Sequence, residues 1–355
     1  MDSVRCMVMR GGTSKGAYFL ESDLPTDHGE RDDLLLRIMG TPDARQIDGI
    51  GGAHPLTSKV AVVRASADDN IDVEYLFLQL GVDEASVSDR QNCGNLLAGV
   101  APFAIERGVI DVDNGEVAVR ILMLNTDSVA TAHFEVRDGQ PIYDGDTVIS
   151  GVPGTGAPIR LDFEGTAGGS TGALLPTGNA VDILSGVAVT MVDNGMPAVV
   201  MRADAMGITG YETCAELESD DDLVVLLEKI RLQAGEMMNL GDVSETTVPK
   251  MTMVAPPREG GHVSTRTFIP HRCHQAIGVL GAVSVATACL IPGSPGSQVI
   301  NIEAGATTVT LEHPSGTFDA AVEISFSDGL ATVERAGIIR TTRKLMDGLV
   351  YPRSG

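Results

Sequence analysis

Two of the five lysines in this 355-residue chain follow a Thr-Ser pair, in Thr13-Ser14-Lys15 and in Thr57-Ser58-Lys59. Lys59 ends the glycine-rich run Gln46-Ile47-Asp48-Gly49-Ile50-Gly51-Gly52-Ala53-His54-Pro55-Leu56-Thr57-Ser58 and opens the apolar stretch 59–65. An ammonium entering a buried strand loses hydration, which makes the neutral amine usable as a base. A lysine snorkelling from a strand end to water would have the same spacing. Cys93 stands in Gln91-Asn92-Cys93-Gly94-Asn95, directly before an apolar helical run. The positive end of a helix dipole favours thiolate at such a place. Gly94 leaves room for a ligand, and Asn92, Asn95 and the nearby N–H groups could hold a carboxylate or a developing enolate. Core filling is the alternative for this cysteine, against which stand its small polar flanks. The two residues are a candidate acid–base pair for proton transfer.

Several loops offer anion donors. Arg10-Gly11-Gly12-Thr13-Ser14-Lys15-Gly16 could cradle a carboxylate with backbone N–H groups. Its lysine precedes the last glycine and no helix pattern follows, so it is not a nucleotide-binding P-loop. Gly168-Gly169-Ser170-Thr171-Gly172 resembles it, and His313-Pro314-Ser315-Gly316 is another small polar turn. Thr13, Ser14, Lys15, Ser170, Thr171 and Ser315 are therefore candidate carboxylate holders. Arg10, Cys273 and His274 are further candidate substrate-binding residues, the last two from His271-Arg272-Cys273-His274. That last cluster lacks a second pair at zinc spacing, so no metal is expected. No dinucleotide-binding Gly-x-Gly-x-x-Gly fingerprint is present.

The elements that must position these residues read as a strand-rich α+β protein. Strand patterns occupy 4–10, 17–20, 59–65, 71–82, 116–124 and 130–136, with a helix at 30–39 and a buried helix at 95–108 despite Pro102. Asn114-Gly115 reads as a hairpin turn within 110–120. Strands near 181–190 and 197–203, joined through Val192-Asp193-Asn194-Gly195, repeat the plan. An acid-rich helical stretch at 212–238, a strand at 251–255, an apolar helix at 276–289 and strands at 299–303, 306–311, 319–326 and 330–335 complete it. Aligning 91–110 with 271–291 sets Cys93 opposite Cys273, each before an apolar helix, which suggests two pseudo-equivalent lobes. The expected division is an N-terminal lobe at 1–164, a C-terminal lobe at 165–335, and a tail at 336–355 that could return to the first lobe.

Composition narrows the function. The formal charge of −23 and the absence of any basic run argue against nucleic acid. No apolar stretch is long enough to span a membrane and the N-terminal residues show no export signal, so the expected address is the cytoplasm. Five widely spaced cysteines fit reduced thiols better than disulfides.

Read together, 9–16, 46–63, 91–108, 168–178 and 313–316 resemble the PrpF family nearly end to end. The resemblance implies the diaminopimelate epimerase-like fold, with two pseudo-symmetric lobes, each wrapping strands around a central apolar helix. It also implies a cofactor-independent isomerase that performs a 1,3-allylic proton shift on a small polycarboxylate. Residues 44–53, 91–95 and 268–278 point toward 4-oxalomesaconate tautomerases of protocatechuate and gallate breakdown. 2-Methylaconitate or aconitate isomerisation is the alternative, and a non-catalytic tricarboxylate-binding protein a lesser one. The family's lysine and first-lobe cysteine map onto Lys59 and Cys93, and a homodimer is the family-level expectation. Cys273 stands where relatives lack a cysteine, which leaves a two-thiol mechanism as the minor option.

Overall fold

Antiparallel and parallel strand pairings alternate in the same order twice along the chain. In the computed structural model, which describes residues 3–90, 92–303, 305–327 and 330–355, Val4–Gly11 pairs antiparallel with Ser14–Leu20. Ser14–Leu20 then runs parallel to Lys59–Ala65, which is antiparallel to Val73–Leu80. Val73–Leu80 is parallel to Gly115–Met123, itself antiparallel to Ser128–Arg137. The series recurs from Val187–Asp193 through Pro197–Arg202, Lys250–Ala255, Val263–Phe268 and Thr308–His313 to Gly316–Ser327. The chain divides into two compact units, one of residues 1–162 with 339–355 and one of residues 163–338.

In the first unit Pro158–Phe163 pairs with Ser128–Arg137 and with the strand Leu330–Val350, whose later residues pair with Val4–Gly11. Eight strands thus close around two helical segments, Gly94–Leu97 and Val100–Glu106. The 95–108 helix expected from sequence is broken between these segments. Pro102 falls in the first turn of the second one, where its missing N–H would have no partner within the helix. Tyr18 fastens the inside, its hydroxyl donating to Leu96 O at 2.6 Å and its ring centroid 5.7 Å from that of Phe103. A Cβ on Gly99 would stand 2.5 Å from that hydroxyl, which explains glycine there.

The outer face is covered by the His28–Met39 helix, begun by the Asp27 cap on Glu30 N and ended by the left-handed Gly40. Leu34, Leu35, Ile38 and Met39 pack with Val60, Val62, Leu78 and Leu80, the outward set of their strands. Lys59, Ala61, Tyr75, Phe77 and Gln79 alternate with that set and belong to the inner face.

The second unit repeats the design. The Val279–Leu290 helix is buried from Gly281 through Cys289, as an apolar sequence on all sides requires. The outer Asp221–Met237 helix packs Leu223, Leu227, Ile230 and Ala234 on Val189, Met191, Met251 and Met253. Two sequence expectations are corrected. Asn114-Gly115 is not a hairpin: the strand begins at Gly115 and turns after Met123, and Asn114 Oδ1 accepts from Gly139 N. Residues 299–303 form no strand, because Ile300 N and Asn301 N are used by Gly296 O and His262 O. Val263–Phe268 and Pro158–Phe163 are strands that the pattern does not announce. Val263–Phe268 is buried along its whole length although four of its six residues are polar, each satisfied by hydrogen bonds.

Candidate active site

Lys59 and Cys93 both belong to the first unit, one at the start of a strand and the other at the start of an inner helical segment. Lys59 is the first residue of its strand, opposite Gly16 on one side and Gln79 on the other, and is 7% exposed. Its Nζ donates to Gln79 Oε1 at 2.7 Å and lies 4.8 Å from the centre of the Phe77 ring. A Cβ at Gly16 would meet Lys59 O at 2.8 Å and the Leu96 side chain at 2.7 Å, so glycine lets this strand and the inner helix approach the lysine. The run before Lys59 is organised by Gln46, whose Oε1 accepts from Ala53 N and Ser58 Oγ. Gly51 is small because the Gln46 amide fills its side-chain space.

Cys93 caps Gly94–Leu97 in extended conformation, its carbonyl accepting from Leu97 N at 3.0 Å. It is 9% exposed. The buried Tyr75 hydroxyl sits 3.5 Å from Cys93 O, and burial, followed by the nearby Cys93, pushes that phenol well above its usual range. Tyr75, Phe77 and Gln79 line up on one face of one strand, so the group beside Cys93 and the two groups beside Lys59 have a common base. Asn92 Nδ2 donates to Thr126 Oγ1, and Asn125 Nδ2 donates to Phe77 O and Asp89 O, bracing the segment that leads into Cys93. Gln91 lies outside the described residues.

The first glycine loop reaches the same place. Asn95 Nδ2 donates to Thr13 Oγ1 at 3.1 Å and lies 3.5 Å from Ser14 Oγ, while Asn95 Oδ1 accepts from Arg340 Nε at 3.2 Å. Ser14 is buried, Thr13 exposed and Lys15 half-buried. Arg10 acts within the loop, donating to Gly12 O and Thr341 O at 2.9 Å each.

In the second unit the Gly168–Gly172 loop already holds an anion of the protein itself. Asp193 Oδ2 accepts from Ser170 N at 2.8 Å, Thr171 N at 3.0 Å and Thr171 Oγ1 at 3.1 Å. Those amides are therefore committed, and the exposed Ser170 side chain is what the loop presents. Cys273 does not cap a helix: Gly278 is the cap of Val279–Leu290, and Cys273 packs in the unit's apolar cluster with its N–H on Glu218 Oε1 at 2.9 Å. Burial, then hydrogen bonding with Cys214, pushes its thiol far up. His274 Nδ1 accepts from Ala276 N, and burial, then Lys250, lowers its imidazole below the usual range. Ser315 Oγ donates to Gln275 O at 2.7 Å and lies 3.3 Å from His313 Nδ1. Gln79, Asn125 and Thr126 are the neighbours that motif reading misses. The signal for Gln79 is an amide that follows Val73, Tyr75 and Phe77 in the inward-facing series of its strand.

A crystal structure of methylitaconate-delta-isomerase is similar with a TM-score of 0.89 and 36% identity, over 99% of this chain and 96% of that one. A hydroxyproline epimerase from Agrobacterium vitis shares the fold, with a TM-score of 0.53 and 13% identity over 99% and 94% of the two chains. The class is thus an isomerase on the epimerase-like fold. The PrpF protein family matches residues 1–353, and the chain belongs to that family. It is 58% identical to a (4E)-oxalomesaconate Delta-isomerase of Novosphingobium sp. over 99% of this chain and 98% of the relative. It is 56% identical to a 4-oxalomesaconate tautomerase of Pseudomonas putida over 98% and 95%.

Proposed function

We propose that this protein moves a proton across the allylic system of 4-oxalomesaconate without a cofactor. Lys59 takes a proton from the methylene beside a carboxylate, the double bond shifts by one carbon, and Cys93 returns a proton at the far end. The flanking keto and carboxylate groups make the first C–H acidic, so oriented donors suffice for the dienolate. Thr13, Ser14, Lys15, Asn92, Asn95 and the Gly94 backbone are the proposed carboxylate and enolate contacts of the first unit. His274 and Ser315 are those proposed within the second.

The observation that carries the substrate is the identity gradient. It is much higher toward the two relatives named for oxalomesaconate than toward the one named for methylitaconate. Five free, buried cysteines support a reducing compartment, hence the cytoplasm. Among the described residues no helix is long and apolar enough to cross a membrane. A small polycarboxylate is the proposed partner, with a homodimer as the proposed assembly and no role for nucleic acid.

Purified protein offered 4-oxalomesaconate, 2-methylaconitate and aconitate in deuterated buffer tests this reading. Fastest turnover with 4-oxalomesaconate, seen by absorbance and deuterium incorporation, is expected. A higher kcat/KM for either other acid would reassign the substrate. Thermal stabilisation by the acid with no deuterium exchange would make the protein a binder instead.

A further inference from the structure

Lys59 is held by a neutral acceptor. Its Nζ–H points to Gln79 Oε1 at 2.7 Å, and Lys59 forms no ion pair among the described residues. Gln79 is directly opposite Lys59 in the antiparallel ladder, the closest side-chain neighbour that a sheet provides. Its Nε2 faces three carbonyl oxygens, Pro55 O, Ser58 O and Leu80 O, each at 3.1 Å.

This environment fixes the orientation of the amide. Turned over, Gln79 would set its NH2 against an amine that donates, and its oxygen against three acceptors. Two of the carbonyls belong to the turn that delivers Lys59, so one side chain fastens both the amine and the backbone leading to it. The same three carbonyls select against glutamate, whose second carboxylate oxygen would face acceptors alone. A carboxylate would also bind the ammonium as an ion pair and hold its proton.

We propose that Gln79 is a positioning residue for proton transfer. It fixes the Lys59 amine on the inner face, and its being an amide rather than a carboxylate leaves that amine free to take and give a proton. The inference rests on the reading of Lys59 as the base.

The test is the pH profile of kcat/KM for Gln79→Glu beside wild type and Lys59→Ala. The expected result is an acid limb moved upward by about one pH unit or more, with turnover at neutral pH down on the order of tenfold and recovering in alkaline buffer. An acid limb that stays in place overturns the inference. Should Gln79→Glu fail to fold, Gln79→Met is read instead. It should lower kcat about tenfold with KM nearly unchanged, and an unchanged kcat overturns the inference. Lys59→Ala separates the two ideas. If it keeps full activity, the reading of Lys59 as the base fails and the positioning role falls with it. If it is inactive while both Gln79 variants behave as wild type, the positioning role alone fails.

Discussion

Burial decides what Lys59 and Cys93 can be asked to do. At 7% and 9% exposure they are shielded from bulk water, yet neither is packed purely among apolar atoms, since Gln79 holds one and a helix start carries the other. Lys59→Ala and Cys93→Ser should each fold and lose isomerisation by a factor on the order of 10² or more. Steady-state rates with melting curves check this, and full activity in either variant removes that residue from the mechanism. Cys273→Ser is expected to turn over at the wild-type rate, because this thiol belongs to an apolar cluster and its backbone is tied to Glu218. A loss as large as that of Cys93→Ser would instead establish a two-thiol mechanism. The sequence picks out Lys59, Cys93 and the Thr13-Ser14 loop because glycines and small polar residues mark them locally. It does not reveal Gln79, Asn125 or Tyr75, whose partners lie 20, 48 and 18 positions away in the chain. Such pairings exist only once strand register is set.

Loops and helices work here by using up polar groups as much as by offering them. The Gly168–Gly172 loop reads from sequence as an anion cradle, and its amides do bind a carboxylate, that of Asp193 at the end of Val187–Asp193. Asp193 is fully buried, so Asp193→Ala would leave the Ser170 and Thr171 amides without their acceptor, while the Thr171 hydroxyl keeps Ala173 O at 3.0 Å. A loss of about 3 kcal/mol is expected, with Asp193→Asn costing about 1 kcal/mol because one acceptor oxygen remains. Urea unfolding midpoints measure both. A wild-type midpoint for Asp193→Ala would mean that these bonds contribute nothing to stability. The next residue, Asn194, ties the same hairpin to the inner helix, with its N–H on Ser284 Oγ at 3.1 Å and Nδ2 on Thr287 Oγ1 at 2.8 Å. Among the elements, the two apolar helices and the Asn194-Gly195 hairpin were legible because hydrophobicity and turn chemistry are local signals. Val263–Phe268 was not, since its Ser, Thr and Arg side chains are satisfied by distant carbonyls and hydroxyls rather than by water.

For the molecule as a whole, five buried thiols in a chain of formal charge −23 make alkali the more informative direction of pH stress. Burial pushes Cys6 up to about 12, with Arg107 opposing, and pushes Cys289 up to about 12 by desolvation alone. Their ordinary value is 9.0. A thiol whose value is raised by folding keeps its proton in the folded state while the unfolded chain gives it up. Its contribution is therefore complete below pH 9.0 and is lost between 9.0 and about 12. Each pH unit in that window favours the unfolded chain by about 1.4 kcal/mol per thiol, or about 4 kcal/mol across it. Self-repulsion, growing as tyrosines and lysines also lose protons, acts in the same direction and cancels when variants are compared. Cys289 is suited to the comparison because it packs against Gly296 in the second unit and has no role in the proposed chemistry. Urea unfolding at pH 8, 9, 10 and 11 should show wild type losing stability with rising pH above 9. Cys289→Ala should lose less, by about 1.4 kcal/mol per unit. Parallel curves for the two proteins would mean that the thiol reaches solvent, or loses its proton in the folded state, well below pH 12.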